Sequence, residues 1–332
     1  MKSMRLLAVL LALLVPAWSA SAETLVVLNK SEHTASLIDP GSGKTLAKLP
    51  VGRGPHEVIV SPDGRTAYVS NFGPYGICSP GDTMCKIPGN TITVLDLAER
   101  KVRTTYDYGT NKGQHGSVIS RDGKLVWVTS ETPQSLLEID AATGKIVNQW
   151  PTKQERSHLV VATPDEKKFY VTNTISGSVS VIERATGAVK VIPVGKGAEA
   201  ITISPNGREV WVGMPVDNKL AVISTAKDEI VATIDSGGKQ PQRIRFTPNG
   251  KEVWVSHVAA DTLTVIDAKS RKVVANVSVG SRPQGIVFSP DGRRGFFALS
   301  GANQVAVIDV RERSLVQNFD TGLDPDGIGL GR

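Results

Sequence analysis

A proline- and glycine-marked turn leading into a short alternating strand recurs along this chain, and that recurrence constrains the fold more than any other feature. Ser61-Pro62-Asp63-Gly64 precedes Tyr68-Val69-Ser70-Asn71, and Ser120-Arg121-Asp122-Gly123 precedes Trp127-Val128-Thr129-Ser130. Thr163-Pro164-Asp165-Glu166 precedes Tyr170-Val171-Thr172-Asn173, and Ser204-Pro205-Asn206-Gly207 precedes Trp211-Val212-Gly213-Met214. Thr247-Pro248-Asn249-Gly250 and Ser289-Pro290-Asp291-Gly292 lead into Trp254-Val255-Ser256-His257 and Phe296-Phe297-Ala298-Leu299. Proline presets φ and glycine supplies the positive φ that closes a tight hairpin. Gly64 and Gly123 are 59 residues apart, and the later steps are 43, 41, 43 and 42 residues. One hairpin per unit at a nearly fixed period is the signature of a radial all-β array.

Each unit also carries two further strand-like runs. Thr91–Asp96 alternates polar and apolar residues, and Ser178–Glu183, Leu220–Ser224, Thr262–Asp267 and Gln304–Asp309 repeat it. Period-two alternation, β-branched residues and regular turns indicate strands throughout, with no convincing helix after residue 22. Four strands per unit and seven units predict a seven-bladed β-propeller of antiparallel blades. Thr24–Asn29 matches the strand ending at Asn71, and Asp326–Leu330 matches the strand before Ser61. One blade is therefore expected to combine strands from both termini, closing the ring without a free sheet edge.

Lys2 and Arg5 precede an apolar run from Leu6 to Val15, followed by Ala20-Ser21-Ala22. This reads as a cleaved signal peptide over residues 1–22, which places the protein in the periplasm or outside the cell. The run is too short for a membrane span, and no later stretch is a transmembrane candidate. Residues 23–332 are expected to form one propeller domain with a loop insertion at 72–90. Cys78 and Cys85 both lie in that insertion. In an exported chain they read as a disulfide, with a metal or redox pair as the alternative. A net charge of +6 is too mild to imply nucleic acid by itself.

The repeats resemble the YVTN family of β-propeller proteins, named for the strand present here as Tyr170-Val171-Thr172-Asn173. The resemblance covers nearly all of the chain after the leader and extends to lactonase-like, virginiamycin B lyase-like and cytochrome d1-like propellers. It implies a fold far more sharply than a function, because propellers host many unrelated activities. It also implies that the connections into each innermost strand share the face on which such proteins bind ligands.

Aligning the repeats places His56, His115, His158, Glu199, Gln242, Gln284 and Asp326 at one position, around the mouth of the channel. His257 ends a neighbouring strand and His33 lies in a nearby loop, so all five histidines map to one face. His56, His115, His158 and Glu199 form a candidate site for zinc, copper or iron, since imidazole and carboxylate suit such ions. The alternative is that each side chain bonds neighbouring backbone or channel water. Arg53, Lys112, Arg156, Lys196, Lys239 and Arg282 recur just before the ring and form a basic rim. Aligned cations repel one another without a counter-charge, so an anionic ligand is expected there: a carboxylate, a phosphate or, with less support because aromatic residues are sparse, a nucleic acid backbone. Gln242, Gln284 and Asp326 complete the candidate ligand-binding set. Tyr68, Trp127, Tyr170, Trp211, Trp254 and Phe296 share one repeat position and are expected to pack blade on blade.

The leading functional reading is a non-enzymatic exported binding or scaffold protein, monomeric, holding an anionic small molecule or a protein on this face. A second is a lactonase- or lyase-like enzyme using His56, His115, His158, His257 and Glu199 in acid–base or ligand roles. A third is an accessory protein of a periplasmic redox system. The sequence holds no P-loop, dinucleotide fingerprint, nucleophile elbow or c-type haem attachment motif.

Overall fold

A computed structural model describes residues 23–73 and 87–331. These form seven four-stranded antiparallel sheets, and no helix occurs among them. Blade 1 pairs the C-terminal strand Pro325–Gly331 with Thr24–Asn29, Thr34–Ile38 and Thr45–Pro50, so the ring closes as the termini suggested. The innermost strands of blades 2 to 7 are Pro55–Val60, Lys112–Ile119, Ser157–Ala162, Ile201–Ile203, Pro241–Phe246 and Pro283–Phe288. Each blade then runs outward in sequence order. The leader, Cys78 and Cys85 lie outside the described residues.

The recurring turn works as its residues dictate. In blade 2 the Asp63 carboxylate accepts the Arg65 N–H at 3.0 Å, and the Ser61 hydroxyl accepts the Thr66 N–H at 3.0 Å. Gly64 sits at φ 73°, and Glu166, the residue that replaces glycine in blade 4, is held left-handed at φ 57°. The asparagine that ends the second strand also has a structural task. Asn71 donates to Thr91 and Thr93, and Asn173 to Ser178 and Ser180, tying the second strand to the third.

The aromatic column packs between blades as expected. Trp127, Tyr170, Trp211, Trp254 and Phe296 are fully buried, and Tyr68 nearly so. Each fully buried ring contributes about 2–3 kcal/mol of burial free energy. Three of the tryptophans also have a polar anchor. Their indole N–H groups donate to Glu138, Glu209 and Glu252 at 2.7, 3.0 and 3.0 Å. Each glutamate in turn takes an arginine from the following blade: Arg184, Arg271 or Arg313. A buried ring, its carboxylate and a guanidinium thus latch successive wedges together.

Candidate functional site

One backbone device delivers a side chain to the channel mouth in every blade. The residues two before the ring position are Gly54, Gly113, Arg156, Gly197, Gln240, Arg282 and Asp324. All seven are left-handed, with φ between 54° and 72°. For the four that are not glycine this conformation costs on the order of 1 kcal/mol, so the surrounding turn holds it against a local preference. The pairing with the second strand then slips where the ring residue falls, between Pro55 and Glu57, Gln114 and Ser117, Ser157 and Val160, and Pro241 and Arg243. Blades 7 and 1 repeat the slip. In blade 5 the ladder starts only at Ile201, after Glu199. A bulge leaves one residue unpaired and re-aims its side chain. Here that residue is His56, His115, His158, Gln242, Gln284 or Asp326.

The three histidines meet. The rings of His56 and His115 are 5.1 Å apart, and those of His115 and His158 are 3.8 Å apart and tilted by 32°. Phe72 stands edge-on over His56 and His115 at 4.8 and 4.7 Å. All three histidines are at most 8 % exposed. His158 Nε2 lies 3.0 Å from Glu199, and its Nδ1 lies 3.6 Å from Glu131. Burial opposes charge on His158, but Glu199 and Glu131 outweigh it and raise its pKa to about 9. Burial drives His56 the other way, to about 4. It also holds His115 well below its ordinary value, helped by the neighbouring His158. The trio is one imidazolium beside two neutral rings.

The rest of the ring is a network of ion pairs. Gln242 donates to Glu199 at 2.9 Å. Burial works against charge on Glu199, yet His158 and Arg243 pull its pKa down to about 2. Lys30 reaches Asp326 at 3.2 Å and Asp324 at 3.5 Å. Arg243 spans the channel from blade 6 to Glu57 of blade 2 at 2.7 Å, and lies 3.5 Å from Asp326 and 3.8 Å from Glu199. Burial opposes charge on both members of this strut. The two nitrogens Arg243 gives to one Glu57 oxygen favour the ion pair. Gln284 is buried in the same ring.

The rim differs. Lys196, Lys239 and Arg282 are exposed, and with Lys112 they form no ion pair among the described residues. Arg156 is drawn inward, its Nε 3.4 Å from Glu131. The Arg53 carbonyl accepts the Gly73 N–H at 3.0 Å.

The structure therefore places His56, His115, His158, Glu199, Gln242 and Asp326 in one connected cluster. His33 adjoins it, its Nδ1 3.1 Å from the Gly54 N–H. His257 occupies the strand-end position that asparagine fills elsewhere. It is fully buried and held neutral, its pKa pushed to about 4 by burial. His56, His115, His158 and Glu199, the expected zinc, copper or iron ligands, lie side by side at the mouth, with His158 bonded to Glu199. The His115 and His158 rings are tilted by 32° to each other, and those of His56 and His115 by 55°. Among the described residues no three His, Cys, Asp or Glu side chains are placed to share a metal. Sequence reasoning missed Lys30, Glu57, Glu131 and Arg243. Two of these were visible as charges, Glu57 and Arg243, in a repeat column otherwise holding Gly116, Leu159, Ala200, Gly285 and Gly327.

Fold and mouth define a seven-bladed propeller with a charged, polar-ringed face. The chain belongs to the family described as Cytochrome D1 heme domain, whose pattern matches residues 19–245 and 159–291. Protein NirF of Pseudomonas aeruginosa is 26% identical over 211 residues, which is 60% of this chain and 49% of that protein. The chain thus spans about half the length of that relative. Among solved structures, a protein of unknown function from Desulfotomaculum acetoxidans superposes with a TM-score of 0.77 at 13% identity, over 93% of this chain and 99% of its own. The periplasmic gluconolactonase PpgL of Pseudomonas aeruginosa gives 0.72 at 19%, over 93% and 99%. Dihydro-heme d1 dehydrogenase NirN in complex with DHE gives 0.63 at 17%, over 92% and 74%. At these identities the structures share the fold alone. No helix among the described residues is long and apolar enough to cross a membrane.

Proposed function

We propose that this protein is an exported, non-enzymatic accessory of a redox system, and that its rim binds a carboxylate-bearing tetrapyrrole of the haem d1 class. The observation that carries this reading is the contrast at the mouth. The inner ring balances its own charge, while Lys112, Lys196, Lys239 and Arg282 form no ion pair among the described residues. Family membership supplies the ligand class. The rim cations fit a tetrapyrrole's carboxylates. The stacked, Phe72-covered imidazoles do not fit axial ligation of its iron as they stand. When bound, the group supplies redox chemistry; the chain's own residues hold and orient its acidic edge. A lactonase- or lyase-like role has less support. His158 is already bonded to Glu199, and burial holds His56 and His115 below the ordinary imidazole range.

The test is a titration of the mature protein with iron protoporphyrin IX, followed by absorbance at low and high salt. Saturable binding that weakens with salt, and by about tenfold or more in Lys196→Ala/Lys239→Ala/Arg282→Ala, is the expected result. Absence of binding, or binding indifferent to the triple substitution, overturns the reading.

A further inference from the structure

The Glu57–Arg243 strut divides the channel, and the space beneath it differs from the mouth. A cavity of about 580 Å³ follows the innermost strands down to Pro205 and Pro248 on the opposite, turn-bearing face. Arg245 projects into it from blade 6. In the ladder Arg245 pairs with Trp254. The corresponding residues opposite the same aromatic column are Ile59, Val118, Val161, Thr202 and Val287, all lining the same cavity. Six wedges thus contribute one guanidinium and five aliphatic or small groups to this layer.

The Arg245 guanidinium is incompletely satisfied. Its Nη1 donates to the Ile286 carbonyl at 2.9 Å, and it makes no ion pair among the described residues. Glu57, the carboxylate that acts on its charge, is already held by Arg243 at 2.7 Å. The surrounding strands disfavour the Arg245 charge, and Glu57 offsets this only in part. The side chain itself is exposed and can be reached by a ligand in the channel. Its planar donor fork matches a carboxylate, and the aliphatic walls match an alkyl chain.

We propose that the lower channel is a second binding site, separate from the mouth, which takes a short aliphatic monocarboxylate. The carboxylate pairs with Arg245, the alkyl chain lies against Ile59, Val118, Val161 and Val287, and the ligand enters from the face bearing Pro205 and Pro248. The strut above prevents passage to the histidine face, so the two sites load independently.

Isothermal titration of the mature protein with acetate, butyrate and hexanoate at constant ionic strength tests this. One saturable site is expected, tightening about three- to fourfold per added methylene. Arg245→Met removes it, and Arg245→Lys keeps it in weakened form. Lys196→Ala/Lys239→Ala/Arg282→Ala leaves it unchanged, so failure here and failure of the mouth reading are distinguishable. Should the methionine variant not fold, Arg245→Gln makes the same test. No saturable binding of hexanoate, no dependence on chain length, or equal binding without the arginine overturns the proposal.

Discussion

The inner ring and the outer rim of the mouth are built by the same seven turns, yet they treat charge in opposite ways. In the ring, every described charge has a partner: His158 with Glu199, Lys30 with Asp326, Arg243 with Glu57. In the rim, Lys112, Lys196, Lys239 and Arg282 have none among the described residues. The ring is buried, where an unpaired charge costs several kcal/mol, so it must be balanced internally. The rim is bathed in water and screened by salt, so it tolerates like charges until a ligand arrives. Charge buried in a pair holds the wedges in register; charge left in solvent is available to an incoming anion.

Arg243→Met breaks the contrast most severely. It leaves Glu57, Asp326 and Glu199 facing one another, and a loss of about 3–5 kcal/mol in urea denaturation at neutral pH is expected. Restoring balance in Glu57→Gln/Arg243→Met should recover part of it. A loss below about 1 kcal/mol for the single change would mean that the strut is not holding the mouth together.

Next in size is the pH dependence of the ring. The pKa of His158 is raised, so its contribution is fully present below about pH 6.5 and lost as pH rises through about 9. That alkaline limb is expected to span about 3 kcal/mol and to vanish in His158→Gln. The pKa of His56 is depressed, so the unfolded chain takes up a proton first, and stability falls as pH drops from about 6.5 towards 4. Denaturation midpoints measured across this range should therefore form a dome. A flat alkaline side in the wild type would contradict the charged state of His158.

The rim should behave differently. Lys196→Ala/Lys239→Ala/Arg282→Ala is expected to weaken anion binding by about tenfold or more, as lost charge-assisted hydrogen bonds would. Its salt dependence should flatten. The smallest effect is on folding: each rim substitution should shift stability by no more than about 0.5 kcal/mol. A larger destabilisation would show that the rim is structural and erase its difference from the ring.

The architecture was legible because each blade repeats the same local solution. Ser-Pro-Asp-Gly writes the turn, the aromatic column writes the blade interface, and the match of Asp326–Leu330 to the strand before Ser61 writes the closure. The ring was legible for the same reason, since its residues share one offset from the turn. What escaped was the pairing across the axis. Arg243 and Glu57 lie 186 residues apart, and Lys30 and Asp326 lie 296 apart. Their contacts depend on the curvature that closes seven wedges into a disc, which no local spacing encodes. The mutual arrangement of the imidazoles escaped for the same reason. Offset placed three imidazoles in adjacent blades, but only the packing of Phe72 and the carboxylates decides whether rings converge or stack.

Nitrogen-detected NMR of the histidine side chains, followed as pH is raised, tests the balanced ring most directly. At pH 8 the expected spectrum shows His158 as an imidazolium, titrating near 9, beside neutral His56 and His115. Three imidazoles titrating together near their ordinary value would contradict it.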